Sequence, residues 1–274
     1  MRSYKRDMEK ARSMNEFCQD ILQLLANQGI EFLVGGYDAF RHHTGIDRET
    51  KDFDLIVRPS DVGLVLRLCR SAGYGTDLTF GHWLAKIHRE ECFIDLIFNS
   101  GNGLCAVDDQ WFSRAVECTI LDRPAKIIPL EELIWQKAYI MERERFDGAD
   151  VAHLLLKCGA RIDWEHLLHR FEADWRVLLS HLVLFGFIYP SKIGSVPSDV
   201  MEELLRRLAS EPQHGPSTNV CNGTFLSRNQ YTSDVELEGF LDARLSGRTA
   251  MTADETQEWT AAGAREHQSG ITPR

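Results

Sequence analysis

Two aspartates one residue apart, Asp52 and Asp54, stand at the head of the run Asp52-Phe53-Asp54-Leu55-Ile56-Val57. In an extended strand alternate side chains leave by the same face, so both carboxylates point one way. The residues between and after them are apolar or β-branched, the composition of a buried strand. Two carboxylates at the mouth of such a strand are costly to desolvate unless a cation sits between them. A divalent metal carrying phosphates is the usual solution in phosphoryl-transfer sites. A third aspartate, Asp95, interrupts the apolar run Cys92 to Phe98, where a carboxylate is otherwise unexpected. A strand neighbouring the first would bring Asp95 beside the pair. Gly35-Gly36 closes the apolar segment Ile30 to Val34 at the point where a strand meets a helix. Backbone amides there can receive a phosphate without interference from a Cβ.

The elements that must position these groups follow from periodicity. Asn15 can cap a helix carrying Phe17, Ile21, Leu24 and Leu25 at helical spacing and ended by Gly29. Residues 30–34 read as a strand, 37–43 as a helix, and Pro59-Ser60-Asp61 opens a helix through about Ser71. Leu84 to His88 and Cys92 to Phe98 read as paired strands joined by the charged turn Arg89-Glu90-Glu91, with short strands at 118–121 and 125–128. From Pro129 onward the pattern is helical, with a start at Pro129-Leu130-Glu131-Glu132 and further helices at 148–158, 163–170, 174–188 and 198–209. Glu211 to Gly223 is rich in Pro, Ser, Asn and Gly and reads as a linker. Helices around 233–245 and from Thr252, where Thr252 and Glu255 have capping-box spacing, follow it, and the tail HQSGITPR reads as disordered. The expected organisation is an α+β core over 1–128, a helical domain over 129–209, and a linker with a C-terminal extension over 210–274.

Composition bounds the function. The chain has 274 residues, 43% hydrophobic and 26% charged, as in an ordinary globular protein. Its formal charge of −10 gives no general attraction to nucleic acid or anionic lipid, although a local basic groove can still bind RNA. The seven cysteines are scattered and never spaced Cys-x-x-Cys, which points to a reducing cytoplasm and away from a disulfide framework or structural zinc. The basic start MRSYKRDMEK has no apolar stretch after it, unlike a secretory signal, and Val177 to Tyr189 is too short to span a bilayer.

The stretch LVGGYDAFRHHTGIDRETKDFDLIV, Leu33 to Val57, resembles the nucleotidyltransferase superfamily, the polymerase β-like fold. Its motif is Gly-Gly or Gly-Ser, then Asp-x-Asp, then a third aspartate on a later strand. The form Gly-x-x-Arg-x-Thr before the aspartates, here Gly45, Arg48 and Thr50, is similar to small bacterial nucleotidyltransferases of the abortive-infection and toxin–antitoxin type. Those families also carry a helical segment of the kind Glu-x-Leu-Ile-x-x-Lys, then Arg and Asp-x-x-Asp; here Glu132 to Lys137 has the glutamate immediately before Leu133, a position the family pattern tolerates, and Arg143 to Asp150 follows. The resemblance covers about residues 15–157. It implies a nucleotidyltransferase-like mixed β-sheet flanked by helices and followed by a helical domain.

It also implies metal-assisted, in-line attack on the α-phosphorus of a nucleoside triphosphate. Asp52, Asp54 and Asp95 would hold Mg2+, with Asp95 helping to deprotonate the acceptor hydroxyl. Gly35, Gly36, Arg48, Thr50, Lys51 and Lys137 would bind nucleotide, the basic groups neutralising phosphate charge. Lys137 also stands out without the family: it lies within the apolar stripe Leu133, Ile134, Ala138 and Met141, so it needs an anionic partner, either a triphosphate or an aspartate. The acceptor is an RNA end, a protein hydroxyl or a small molecule.

Two other readings stand beside this one. A nucleotide-binding or interaction module could keep the fold without turnover, because Gly36 replaces the serine of many active members and Asp38 adds negative charge beside the glycines. The chain could also be the toxin of a toxin–antitoxin pair, silenced by its partner. Asp147 reads first as a helix cap with Asp150 favouring the same N-terminus. His42, His43, His166 and His169 read as surface or core histidines, and Trp111, Trp135, Trp164 and Trp175 as packing aromatics.

Overall fold

The run Cys92 to Ile97 alternates buried and half-buried side chains along its length, and the sheet is ordered around it. In the computed structural model, which describes residues 2–48, 50, 52–211 and 218–269, the chain divides into two units. The first holds 1–42, 46–101 and 106–129; the second holds 43–45, 102–105 and 130–274. Lys51, the centre of the 211–223 segment and the residues after 269 lie outside the described set.

In chain order the first unit runs α1 (Arg2–Asn27), β1 (Leu33–Val34), α2 (Gly36–Thr44), β2 (Asp54–Ile56), α3 (Val62–Ser71) and β3 (Gly75–Phe80). It continues through β4 (Leu84–Arg89), β5 (Cys92–Ile97), α4 (Asp109–Ser113), β6 (Val116–Ile120) and β7 (Arg123–Ile127). The seven strands form one mixed sheet in the order β3-β4-β5-β2-β1-β7-β6. β2 lies parallel to β5 and antiparallel to β1, and β1 lies parallel to β7. One side of the central strands presents Leu55, Ile94 and Leu96, all fully buried, to a core that also contains Phe17, Ile21 and Leu25 of α1 and Val65 and Cys69 of α3. Burial pushes the Cys18 thiol up to about 12 and that of Cys69 to about 11, so both pack as small apolar groups.

The second unit contains α5 (Leu130–Ala138), α6 (Gly148–Cys158), α7 (Trp164–Phe171), α8 (Trp175–Ile188) and α9 (Ser198–Ala209). After these come β8 (Val220–Cys221), α10 (Thr232–Glu236), β9 (Leu241–Asp242) and α11 (Ala253–Ser269). Leu133, Ile134, Leu154, Leu155, Leu167, Phe171, Leu178, Leu182 and Phe185 supply the core of this helical cluster. Beyond residue 218 the chain is packed: Thr224, Phe225, Ser227, Arg244, Met251 and Thr256 are buried, and the β8–β9 pair is parallel.

Several local expectations are altered by the structure. α1 begins at Arg2, so Asn15 lies inside the helix instead of capping it. β3 has no counterpart in the periodicity, because it is an exposed edge strand whose side chains do not alternate in burial. The helix expected over 233–245 shortens to α10, since Gly239 turns at φ +75 and Asp242 accepts from the Arg244 amide to start a separate turn. At Thr252 the capping box forms in both directions: the Glu255 amide donates to the Thr252 hydroxyl at 3.2 Å, and the Thr252 amide donates to Glu255 at 2.9 Å. Among the described residues no helix is long and apolar enough to cross a membrane.

Candidate functional site

β2 is short, but its pairing extends the row of site residues across the sheet. Asp54 and Asp95 are register partners on the parallel strands β2 and β5, and the Asp95 amide donates to the Phe53 carbonyl at 3.0 Å. Cross-strand partners project from the same face. Asp54 and Asp95 therefore share a side of the sheet, opposite the buried face of Leu55 and Leu96. Asp52 lies two residues upstream, half-buried like Asp54, while Phe53 between them is buried.

On the other flank of Asp54, the Gly35 amide donates to the Asp54 carbonyl at 3.0 Å. Gly36 follows with φ +52, and a Cβ built there would fall 1.6 Å from Asp54 Oδ2. Glycine is required here twice over: for the left-handed backbone, and for the carboxylate that occupies the space of a side chain. Gly35-Gly36 thus opens α2 directly against Asp54, bringing the start of a helix and a carboxylate to one place.

Asp38 lies in the first turn of α2. Its charge acts on the thiols of Cys18 in α1 and Cys118 in β6, and burial raises its own carboxyl above the ordinary value despite the opposing charge of Arg41.

The loop between α2 and β2 is tied to the helix by Tyr37. Its hydroxyl donates to Asp47 and accepts from the Arg48 amide at 2.8 Å. The Arg48 guanidinium lies over the Phe40 ring at 4.9 Å and 5.7 Å from the Tyr37 centroid, exposed at the surface of the unit. The Thr50 hydroxyl accepts from the Asp52 amide at 3.3 Å, a local turn that sets the approach to the aspartates. Lys51 is outside the described residues.

One charged group in the row was not singled out from sequence. Lys86 of β4 is the register partner of Asp95, and its ammonium meets Asp95 Oδ1 at 2.5 Å while lying 4.2 Å from the Phe93 ring centroid. The signal was present: Arg89 pairs with Cys92 around the two-residue turn Glu90-Glu91, and counting back three on each strand puts Lys86 opposite Asp95. Asp54, Asp95 and Lys86 thus form one line across three strands, with Gly35 beside Asp54 just past the end of β1.

Lys137 belongs to the second unit, where its anionic partners are Asp147 at 2.9 Å and Asp150 at 2.6 Å. Arg145 adds two hydrogen bonds of 2.9 Å to Asp147. Burial pushes the Asp147 carboxyl up, but the hydrogen bonds and charges of Arg145 and Lys137 outweigh it and hold it at about 2. Asp147 precedes α6 without a side-chain capping bond, so its part in the helix start is electrostatic. In the same unit Glu132 is fully buried, accepting from His166 at 2.7 Å and Arg170 at 3.0 Å. Trp111, Trp135 and Trp175 are buried, and Trp164 is half-buried.

The donor set fits magnesium. Among the described residues no three Asp, Glu, His or Cys side chains gather as a ready-made chelate. Magnesium, however, binds through one or two carboxylates and completes its shell with phosphate oxygens and water. A pair of hard oxygen donors beside the side-chain-free turn at Gly36 meets that requirement.

The profile of a family described as "Nucleotidyl transferase of unknown function (DUF2204)" matches residues 15–173. No curated protein matches the chain. Among solved structures, the antibiotic-resistance factor ANT(2'')-Ia is similar at 16% identity and a TM-score of 0.42, over 62% of this chain and 97% of that one. The lincomycin-bound lincosamide antibiotic adenylyltransferase LnuA is similar at 19% identity and a TM-score of 0.37, over 50% of this chain and 93% of that one. An antigenic nucleotidyltransferase-like protein from Paracoccidioides brasiliensis is similar at 16% identity and a TM-score of 0.35, over 63% of this chain and 91% of that one.

Proposed function

The chain belongs to the DUF2204 family of nucleotidyl transferases, and from that membership we propose that its first unit moves a nucleoside monophosphate from a nucleoside triphosphate to a hydroxyl acceptor. The observation that carries this reading is the cross-strand pair Asp54–Asp95 with the Asp54 carboxylate packed against the backbone at Gly36. Asp52 and Asp54 would hold magnesium, with Asp95 completing the carboxylate set. When bound, the metal withdraws charge from the phosphate oxygens and lowers the cost of attack at phosphorus.

The chain's own groups divide the remaining work. The Gly35 amide is committed to the Asp54 carbonyl, so amides from Gly36 into the start of α2 would receive phosphate oxygens. Arg48 and Thr50 sit on the loop leading to the aspartates and would supply positive charge and a hydroxyl for the nucleotide, with the charge of Lys51, the next residue in sequence, added to theirs. Asp95 takes the proton of the acceptor hydroxyl. The acceptor oxygen then bonds to the α-phosphorus, the bond from that phosphorus to the β-phosphate bridging oxygen breaks, and pyrophosphate leaves with its electron pair. The charge of Lys137 is met by Asp147 and Asp150 within the second unit, so the nucleotide site as proposed does not call on it.

The test is incubation of the protein with each α-labelled nucleoside triphosphate and magnesium, offered RNA, protein and small-molecule pools in separate arms. Label appearing in one pool identifies the acceptor class. Nucleotide binding without transfer to any pool would replace this reading with that of a non-catalytic nucleotide-binding module.

A further inference from the structure

The Lys86–Asp95 pair differs from an ordinary cross-strand ion pair in where it sits. Exposed pairs of this kind contribute little to stability. Here the two side chains are only 26% and 18% exposed, and the register places them in line with Asp54. The Lys86 ammonium touches Asp95 Oδ1 at 2.5 Å and is backed by the Phe93 ring at 4.2 Å. On its other side the register partner is Asp77, whose carboxylate accepts from the Thr79 hydroxyl at 2.9 Å. Lys86 is thus directed to the catalytic row by a carboxylate in front and an aromatic face behind.

Resting on the proposed transfer reaction, we propose that Lys86 is a positioning residue for Asp95: it stands in for a cation at that carboxylate until substrate arrives. A carboxylate oxygen in contact with an ammonium is a poor ligand for a divalent ion, since the two cations repel at close range. Asp95 Oδ1 therefore becomes available as ligand or base when Lys86 turns away, and the negative charge of an incoming triphosphate supplies the reason to turn. Lys86 couples occupation of the nucleotide site to the release of Asp95. A cross-strand strut with no part in the site would leave metal affinity alone.

The experiment is titration of the full chain with Mn2+ in the absence of nucleotide, following free Mn2+ by electron paramagnetic resonance. Lys86→Met is expected to tighten Mn2+ binding by at least about fivefold, because the competing charge is gone. Lys86→Arg, which keeps the charge, is expected to stay within about twofold of the unsubstituted protein. Lys86→Met is also expected to gain nothing when combined with Asp95→Asn. Circular dichroism establishes that each variant is folded, and Lys86→Gln takes the place of Lys86→Met if the latter is not.

Unchanged or weaker binding in the folded neutral variant, with binding lost in Asp54→Asn, overturns the role of Lys86 and leaves the transfer reading intact. A gain that persists without Asp95 also overturns it. Binding unchanged in Asp54→Asn removes the metal site itself, and with it both proposals.

Discussion

Asp54 and Asp95 are opposite one another on two parallel strands, forty-one residues apart in sequence and adjacent in the sheet. Neither belongs to the buried face of its strand, and each is flanked by residues that do: Phe53 and Leu55 for one, Ile94 and Leu96 for the other. Burial of those neighbours fixes which way the aspartates point, because a one-residue slip would exchange the two faces. The core of the first unit therefore determines the geometry of the proposed site.

Gly36 is the most sensitive backbone position in that site. Gly36→Ser restores the hydroxyl found in many nucleotidyltransferases, yet its Cβ would collide with Asp54 Oδ2 on a backbone at φ +52. The substitution is expected to lower stability by about 1–2 kcal/mol. Displacement of the Asp54 carboxylate should also reduce transfer by about a hundredfold. Urea unfolding and the transfer assay measure the two effects. A serine variant more active than the unsubstituted protein would show that the turn is not set against Asp54.

Acid should weaken the second unit through Asp147. Its folded pKa of about 2 lies below that of the unfolded chain, so its contribution is complete above about pH 4 and is lost as pH falls toward 2. The magnitude is roughly 2 kcal/mol. Urea unfolding at pH 5 and pH 2.5 checks this: Asp147→Asn should lose less stability between the two than the unsubstituted protein. Parallel losses would remove Asp147 from the account of acid sensitivity.

Glu132 holds together a buried charge group in which Arg170 is 7% exposed. Glu132→Ala leaves that guanidinium without its carboxylate and is expected to cost about 3–5 kcal/mol. The double substitution Glu132→Leu, Arg170→Leu removes both charges and is expected to recover much of this loss. Thermal unfolding of the two variants distinguishes a charge effect from simple loss of packing, under which the double variant would be no better.

What could be read from sequence follows a physical divide. Asp54 and Asp95 were legible because an aspartate inside an apolar, β-branched run has few structural explanations. β4 and β5 were legible from alternation, and the Glu90-Glu91 turn contained the register that pairs Lys86 with Asp95. That arithmetic needs the turn length, which an apolar pattern does not supply by itself. β3 was not legible, since an edge strand with exposed side chains carries no burial signal. The partners of Lys137 were legible only as alternatives: a lysine in an apolar stripe requires an anion, and the sequence offered both phosphate and aspartate. The folding of residues beyond 218 was hidden because its buried groups, among them Thr224, Ser227 and Arg244, are polar types that composition assigns to the surface.

The central claim is that Asp52, Asp54 and Asp95 carry nucleotidyl transfer. Its most direct measurement is incorporation of α-labelled nucleoside triphosphate by Asp54→Asn beside the unsubstituted protein, at equal concentration and saturating magnesium. Asparagine preserves size and removes the charge, so the fold should persist by circular dichroism while incorporation falls by at least about a hundredfold. Incorporation by folded Asp54→Asn at the unsubstituted rate would contradict the account.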